Sequence, residues 1–183
     1  VSLETWVEKG LLGREKLIYE ALLSKFFDRI FWFTYGSDDK KISELLYAHG
    51  KLSKKIVIVP KPRIFRGFIG DLIYSFLMPL IQHQCMRRCT VFKSNQIVGS
   101  WSAVISKILY QKILIVRCGY IYSLFNQYQN RFIKYIIAIV AEYIAFSFAD
   151  YAFVASKLDK SYVQDKHRDI NLVVIPNFVN TKK

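Results

Sequence analysis

Residues 113–120 read Ile113-Leu114-Ile115-Val116-Arg117-Cys118-Gly119-Tyr120. Four aliphatic residues follow one another with no polar residue between them, and the run stops in a cation, a thiol and a glycine. A helix face repeats every three to four residues, and a half-buried strand alternates. A short continuous apolar run bounded by turn residues is the pattern of a strand buried on both faces. The pattern recurs at 30–35, 56–59, 91–92, 151–155 and 172–175. Gly36-Ser37-Asp38-Asp39 closes the first of these, Pro60 the second and Pro176 the last.

Helical spacing fills the intervals. Leu11, Ile18, Leu22 and Phe26 share one face, with the firm helix starting near Arg14. Residues 42–47 and 103–110 are short helix candidates. Residues 67–86 are helical in pattern, with Pro79 expected to kink or end the helix. Ile133, Ile136, Ile137, Val140, Ala141, Ile144 and Phe148 form a long stripe. Residues 132–154 carry Lys134, Glu142 and Asp150, so the stripe is expected in a core helix rather than a bilayer span. Strands alternating with helices predict an α/β fold. It is a doubly wound, mostly parallel Rossmann-like sheet with helices on both faces.

The chain has 183 residues, the length of one ordinary domain. Its three cysteines, Cys85, Cys89 and Cys118, show no paired spacing and suit reduced thiols in a cytoplasm. Cys85 and Cys89 can share a helix face, but only His83 stands near them, so no metal site is expected. A net charge of +13 and a pI of about 9.7 admit nucleic acid, an anionic membrane or phosphate-bearing substrates. No G-x-G-x-x-G follows a strand, and neither a phosphate-loop motif nor a G-x-S-x-G elbow occurs. Gly67-Phe68-Ile69-Gly70 matches an RNA-clamping GXXG loop only in its glycines, because its middle is apolar. Strands buried on both faces would leave no stacking platform for bases, so nucleic acid is not expected as a partner.

Ligands of doubly wound sheets bind beyond the carboxyl ends of the strands. The candidate residues there are Ser94, Asn95 and Gln96 after the third strand, and Arg117, Gly119 and Tyr120 after the fourth. Ser156 and Lys157 follow the fifth, and Asn177 follows the sixth. Asn and Gln each donate and accept, which suits hydroxyl-rich ligands, and Gly99 permits a close turn. Two readings of 93–100 stay open: a ligand site, or a loop in which Ser100 or Ser102 caps the next helix. Arg117 suits a phosphate or a nearby acid.

Lys54, Lys55, Lys61, Arg63 and Arg66 form a basic run, and Phe68 opens an apolar helix immediately after it. Cations beside an amphipathic helix predict docking on an anionic bilayer surface.

Several segments, in order, resemble family-4 glycosyltransferases of the GT-B fold. Ser2-Leu3-Glu4-Thr5-Trp6 with Gly10 and Arg14-Glu15 is similar to their first helix region. Phe33-Thr34-Tyr35-Gly36 is similar to the end of their second strand. Lys93-Ser94-Asn95-Gln96 with Gly99-Ser100-Trp101 resembles a Lys-Thr-Asn-Gln-like strand end, and 115–120 their Arg-x-Gly-Tyr turn. Ala149-Asp150 with Val154-Ala155-Ser156 resembles the strand before their inter-domain region. Residues 174–181 resemble their Ile-Pro-Asn-x-Val-Asp/Asn-Thr segment.

The resemblance implies that residues 1–176 form an amino-terminal, acceptor-side domain without its first strand. Residues 177–183 would then start the inter-domain linker, and a carboxyl-terminal donor domain would lie outside the chain. The complete enzyme would transfer a sugar, with retention, from a nucleotide-sugar to a lipid-linked or envelope glycan acceptor. It would work peripherally at the cytoplasmic face of the cell membrane, with no cofactor beyond the nucleotide-sugar. Asn95 and Gln96 would bind hydroxyls, Arg117 would orient the loop or meet a phosphate, Tyr120 would stack on a sugar and Asn177 would cap the hinge. The family's His at or near the fourth strand end is Lys93-Ser94 here, so no catalytic residue is assigned. The competing expectation is a non-enzymatic basic α/β module that binds anionic membrane or nucleic acid.

Overall fold

The structure is a computed structural model and describes residues 2–177, apart from the side chains of Arg14, Ala21 and Leu22. Residues 178–183, with most of the expected linker and the end of the Ile-Pro-Asn segment, lie outside the described residues. The chain is α/β and divides into two compact units, one up to Tyr74 and one from Ser75.

In the first unit, α1 (Leu3–Glu8) and α2 (Leu12–Leu17) precede a π turn (Ile18–Leu22) and a 3-10 turn (Leu23–Lys25). The single helix expected from Arg14 is therefore three consecutive helical geometries. The π turn puts Tyr19 in the core and sets Glu20 to accept from the Ser53 N–H at 2.7 Å. Strand β1 (Ile30–Thr34) pairs in parallel with β2 (Ile56–Pro60), with α3 (Asp39–Ala48) between them in sequence. The aromatic run of β1 explains the core: Trp32 meets the rings of Trp6 and Tyr19 edge-on, at 5.2 and 5.0 Å.

Asp39 closes this unit. It is fully buried, and its carboxylate accepts from the N–H groups of Leu3 (2.9 Å), Glu4 (3.3 Å) and Gly36 (3.0 Å). One side chain thus ties the start of α1 to the turn after β1. A Cβ on Gly36 would collide with that carboxylate, which is why the turn needs glycine there.

Helix α4 (Gly67–Ile81) carries the chain into the second unit. Pro79 lies inside it, and the break comes later, at Gln82, before α5 (His83–Arg88). Pro79 has no N–H for the Ser75 carbonyl, and the Ser102 hydroxyl donates to that carbonyl instead. Ser75 Oγ accepts from Trp101 Nε1 at 2.8 Å. The expected defect is therefore the seam that joins α4 to α6 (Trp101–Tyr110).

Four strands build the second unit: β3 (Val91–Ser94), β4 (Ile113–Cys118), β5 (Tyr151–Val154) and β6 (Asn171–Val174). They pair in parallel in chain order, Ser94 opposite Val116, Cys118 opposite Val154 and Val154 opposite Val174. The connections are α6, then α7 (Tyr122–Tyr128) with α8 (Phe132–Phe148), then α9 (Lys157–Lys166). All six strands lie where their apolar runs predicted, but hydrogen bonding divides them into a two-stranded and a four-stranded sheet.

Two expectations are corrected. Leu114, Val116 and Cys118 are buried, whereas Ile113, Tyr151 and Val173 on the opposite face are nearly half exposed. The four-stranded sheet is therefore fully covered on one face and only partly on the other, where Ile115 and Phe153 in its middle are of intermediate burial. The cause is topological: right-handed crossovers between strands laid down in one direction set their helices on one side. The stripe expected in the core on α8 is likewise exposed, because Ala138, Glu142, Ala145 and Phe146 make its buried side.

Replacing Asp39 by Ala leaves up to three backbone N–H groups without an acceptor and is predicted to destabilise the first unit by about 2–3 kcal/mol. Urea unfolding followed by tryptophan emission measures this, and an unchanged midpoint contradicts the closing role given to Asp39.

Candidate ligand site at the carboxyl ends of β3 to β6

Parallel pairing brings the ends of four strands to one edge. By register, Asn95 and Arg117 leave adjacent strands at the same level. Lys93 donates through Nζ to Asn95 Oδ1, which holds the amide close to its strand. Ser94 Oγ is buried and has no hydrogen-bond partner among the described residues. Gln96 is exposed, while the next side chain, Ile97, is buried and pulls the loop back to the protein. Gly99 then takes φ +90°, a left-handed turn that a side chain would strain. Ser100 stands at the N-cap of α6 without a side-chain capping bond, and Ser102 serves the Ser75 carbonyl. Neither serine makes the cap expected of the loop.

At the next strand end Arg117 donates to Asn177 Oδ1 at 3.1 Å, and Asn177 Nδ2 donates to the Gly119 carbonyl at 3.0 Å. One amide thus clamps the end of β4 to the segment after β6. Arg117 meets an amide here, not an acid. Tyr120 is 54% exposed, with Tyr122 and Phe125 at ring distances of 5.8 and 5.9 Å. Burial, then Tyr122 and Cys118, push its phenol above the ordinary value. Cys118 is buried in the covered face, and its Sγ donates to the Tyr120 carbonyl at 3.0 Å. Burial first, then the nearby Glu142 and Asp159, push its thiol up to about 12, so it is no nucleophile at neutral pH. Ser156 caps α9, accepting from the Asp159 N–H at 3.0 Å.

Beneath the edge lies a polar group that the sequence patterns did not single out. Glu142 is 5% exposed and accepts from Ser123 N (2.8 Å) and Ser123 Oγ (2.6 Å). Tyr162 OH lies 3.1 Å from Ser123 Oγ and accepts from Lys166 Nζ at 2.5 Å. The available signal was the lone acid in the apolar run 132–148. This group anchors the start of α7, directly after Tyr120, and so supports the edge from below.

The opposite edge holds a shallow cleft of about 420 Å³, where Asp150 receives Lys107 Nζ at 2.5 Å and the Leu114 N–H at 2.7 Å. Burial works to raise the Asp150 carboxyl, but the Lys107 and Leu114 contacts outweigh it and hold the group below its ordinary value. This cleft lies at the amino ends of the strands, away from the candidate residues.

The basic segment belongs to the first unit. Lys54, Arg63 and Arg66 are exposed, and Phe68 is 82% exposed. Lys55 donates to the Ser24 carbonyl at 2.9 Å, and half-buried Lys61 is ion-paired with Asp71, one turn into α4. Among the described residues no group of three or more His, Cys, Asp or Glu side chains converges on a point. Cys89 Sγ instead donates to the Cys85 carbonyl at 3.3 Å. The class defined so far is an α/β protein with parallel sheets and a polar strand-end edge. No family model matches the chain, and no curated protein matches it either.

Two measurements test this geometry. The folded pKa of Asp150 lies below its unfolded value of about 3.9, so its contribution to stability is present above that pH and is lost as pH falls through the folded value. Asp150→Asn should flatten the acid limb of the stability profile. In thiol labelling at pH 8, Cys118 should react only after unfolding, while half-buried Cys85 and Cys89 react earlier.

Proposed function

We propose that this chain is the acceptor-side half of a retaining GT-B glycosyltransferase that moves a sugar from a nucleotide-sugar onto a lipid-linked or envelope glycan. The observation that carries this is a convergence. The segments around Asn95, Arg117 and Asn177, which resemble the family in sequence order, meet at one sheet edge, two of them joined by the Arg117–Asn177–Gly119 clamp. Asn95 and Gln96 supply amide donors and acceptors for hydroxyls, and the half-exposed ring of Tyr120 offers an apolar face for a sugar. Arg117 acts as the loop's organiser, since its guanidinium holds Asn177. Gly99 shapes the turn, and Ser94 Oγ is left for a polar partner. No side chain is assigned as catalytic. The donor nucleotide would be held by a second domain, and no other cofactor is required. The enzyme would sit peripherally on the cytoplasmic face of an anionic membrane, with Lys54, Lys55, Arg63, Arg66 and Phe68 toward the lipid.

One observation favours a second function. The less covered sheet face carries Tyr151, 44% exposed, and the partly buried Phe153, with Lys93 and Arg117 at the same residue parity. That combination suits a basic module stacking single-stranded nucleic acid, whose binding would fall steeply with salt.

The deciding experiment screens nucleotide-sugars by thermal shift in the complete enzyme, then measures Asn95→Ala/Gln96→Ala. Two lost hydrogen bonds should reduce turnover about 10- to 100-fold with the melting temperature kept. Unchanged kinetics remove these residues from the site. Stabilisation by oligonucleotide but by no nucleotide-sugar replaces sugar transfer with the second function.

A further inference from the structure

Helix α8 is amphipathic in the inverted sense. Its one acid, Glu142, faces inward with Ala138, Ala145 and Phe146, while Ile133, Ile136, Ile137, Val140, Ile144 and Phe148 are 39–74% exposed. With 3.6 residues per turn, those six share an outward arc of about 160° with Phe132, Tyr143 and Ser147. No charged residue falls in the arc, and Ser147 is its one fully polar side chain. A surface helix normally turns its charged face to water, and an apolar patch of this extent marks a contact surface.

We propose that α8 docks this chain on a bilayer containing anionic lipid, lying in the plane of the interface with this arc among the upper acyl chains. Four observations favour lipid over a protein partner. The arc is mostly aliphatic, it carries no Trp or Arg of the kind that anchors protein interfaces, and Tyr143 and Ser147 are its only side chains with a polar group. Exposed Arg131 and Lys134 flank its amino-terminal end, beside exposed Phe132 and Ile133, where their cations can reach headgroup phosphates while the apolar side chains enter the acyl region. Tyr143 adds an amphipathic ring of the kind that settles at headgroup depth. The net charge of +13 draws the chain to an anionic surface and sets two copies against each other. The 17 residues of α8 span only about 25 Å, and no helix among the described residues is long and apolar enough to cross a membrane. A helix held along one side by α6 and α7 can lie on a bilayer. This docking does not depend on sugar transfer, and its argument does not draw on the basic segment at 54–68.

Flotation of the full chain with vesicles tests it. The chain should float with phosphatidylcholine vesicles containing about 30% phosphatidylglycerol and much less with phosphatidylcholine alone. Ile137→Ser/Val140→Ser, at exposed positions, should keep the melting temperature and lower partitioning about tenfold or more. Arg131→Gln/Lys134→Gln should weaken binding on anionic vesicles only. In Val140→Trp, the added emission should shift blue on vesicles and be quenched by brominated lipid. Unaltered flotation of the serine variant, or no quenching of Val140→Trp, overturns the proposal. Loss of self-association by the serine variant with vesicle binding intact overturns it too and assigns the face to a second copy.

Discussion

Parallel pairing of β3, β4, β5 and β6 in chain order constrains the rest of the second unit. A parallel pair cannot be closed by a tight turn, so each step needs a crossover helix. Because the strands are added in one direction, right-handed crossovers lay α6, α8 and α9 on the same side. That face acquires Leu114, Val116, Cys118, Ala152 and Val154 as its core, and the other stays only partly covered. The same constraint sends every carboxyl end to one edge. The polar residues that interrupt the apolar runs are thereby gathered without being near one another in sequence.

Gathering alone would leave four loose loop ends. Asn177 prevents that, since its amide accepts a hydrogen bond from Arg117 and donates one to the Gly119 carbonyl. A carboxylate at this position would accept from Arg117 but could not also donate to Gly119; an amide does both. The buried Glu142–Ser123 pair holds the start of α7 just below, so Tyr120 sits between two hydrogen-bonded anchors. A ring presented from an anchored turn loses little freedom on binding, which is what a stacking surface requires.

The strands were legible because 30–35, 56–59, 91–92, 113–116, 151–155 and 172–175 are apolar runs punctuated by glycine, proline or charge. Their parallel pairing followed from the helices between them. Burial on both faces did not follow, because a continuous apolar run looks the same whether its second face meets a helix or stays only partly covered, as at Ile113 and Val173. The π turn at Ile18–Leu22 was hidden because helical periodicity barely distinguishes it from an α turn over five residues. Asp39 was visible only as part of a turn. Its role depends on Leu3 and Glu4, more than thirty positions away. Asn177 was singled out, but as a hinge cap. Its link to Arg117 spans 60 positions and is a property of register rather than of motif.

The orientation of α8 requires an explanation that local bonding alone does not supply. Turning Glu142 inward secures two hydrogen bonds from Ser123, and bonds to a charged group contribute about 1.5–3 kcal/mol each. Turning six aliphatic and aromatic side chains outward forgoes burial that would contribute roughly 1.5–3 kcal/mol for each fully buried one. Even at the half exposure of Ile136 and Val140, that loss is comparable to or larger than the gain from Glu142. Small residues on the inner side, Ala138 and Ala145, let α8 approach its neighbours closely, but they recover little area. In water alone the opposite rotation would compete. An interfacial environment removes the competition, because the Ile and Val side chains then leave water while Glu142 keeps its partners. The same helix phase that satisfies the buried acid thereby creates a face whose stability depends on what the protein rests against.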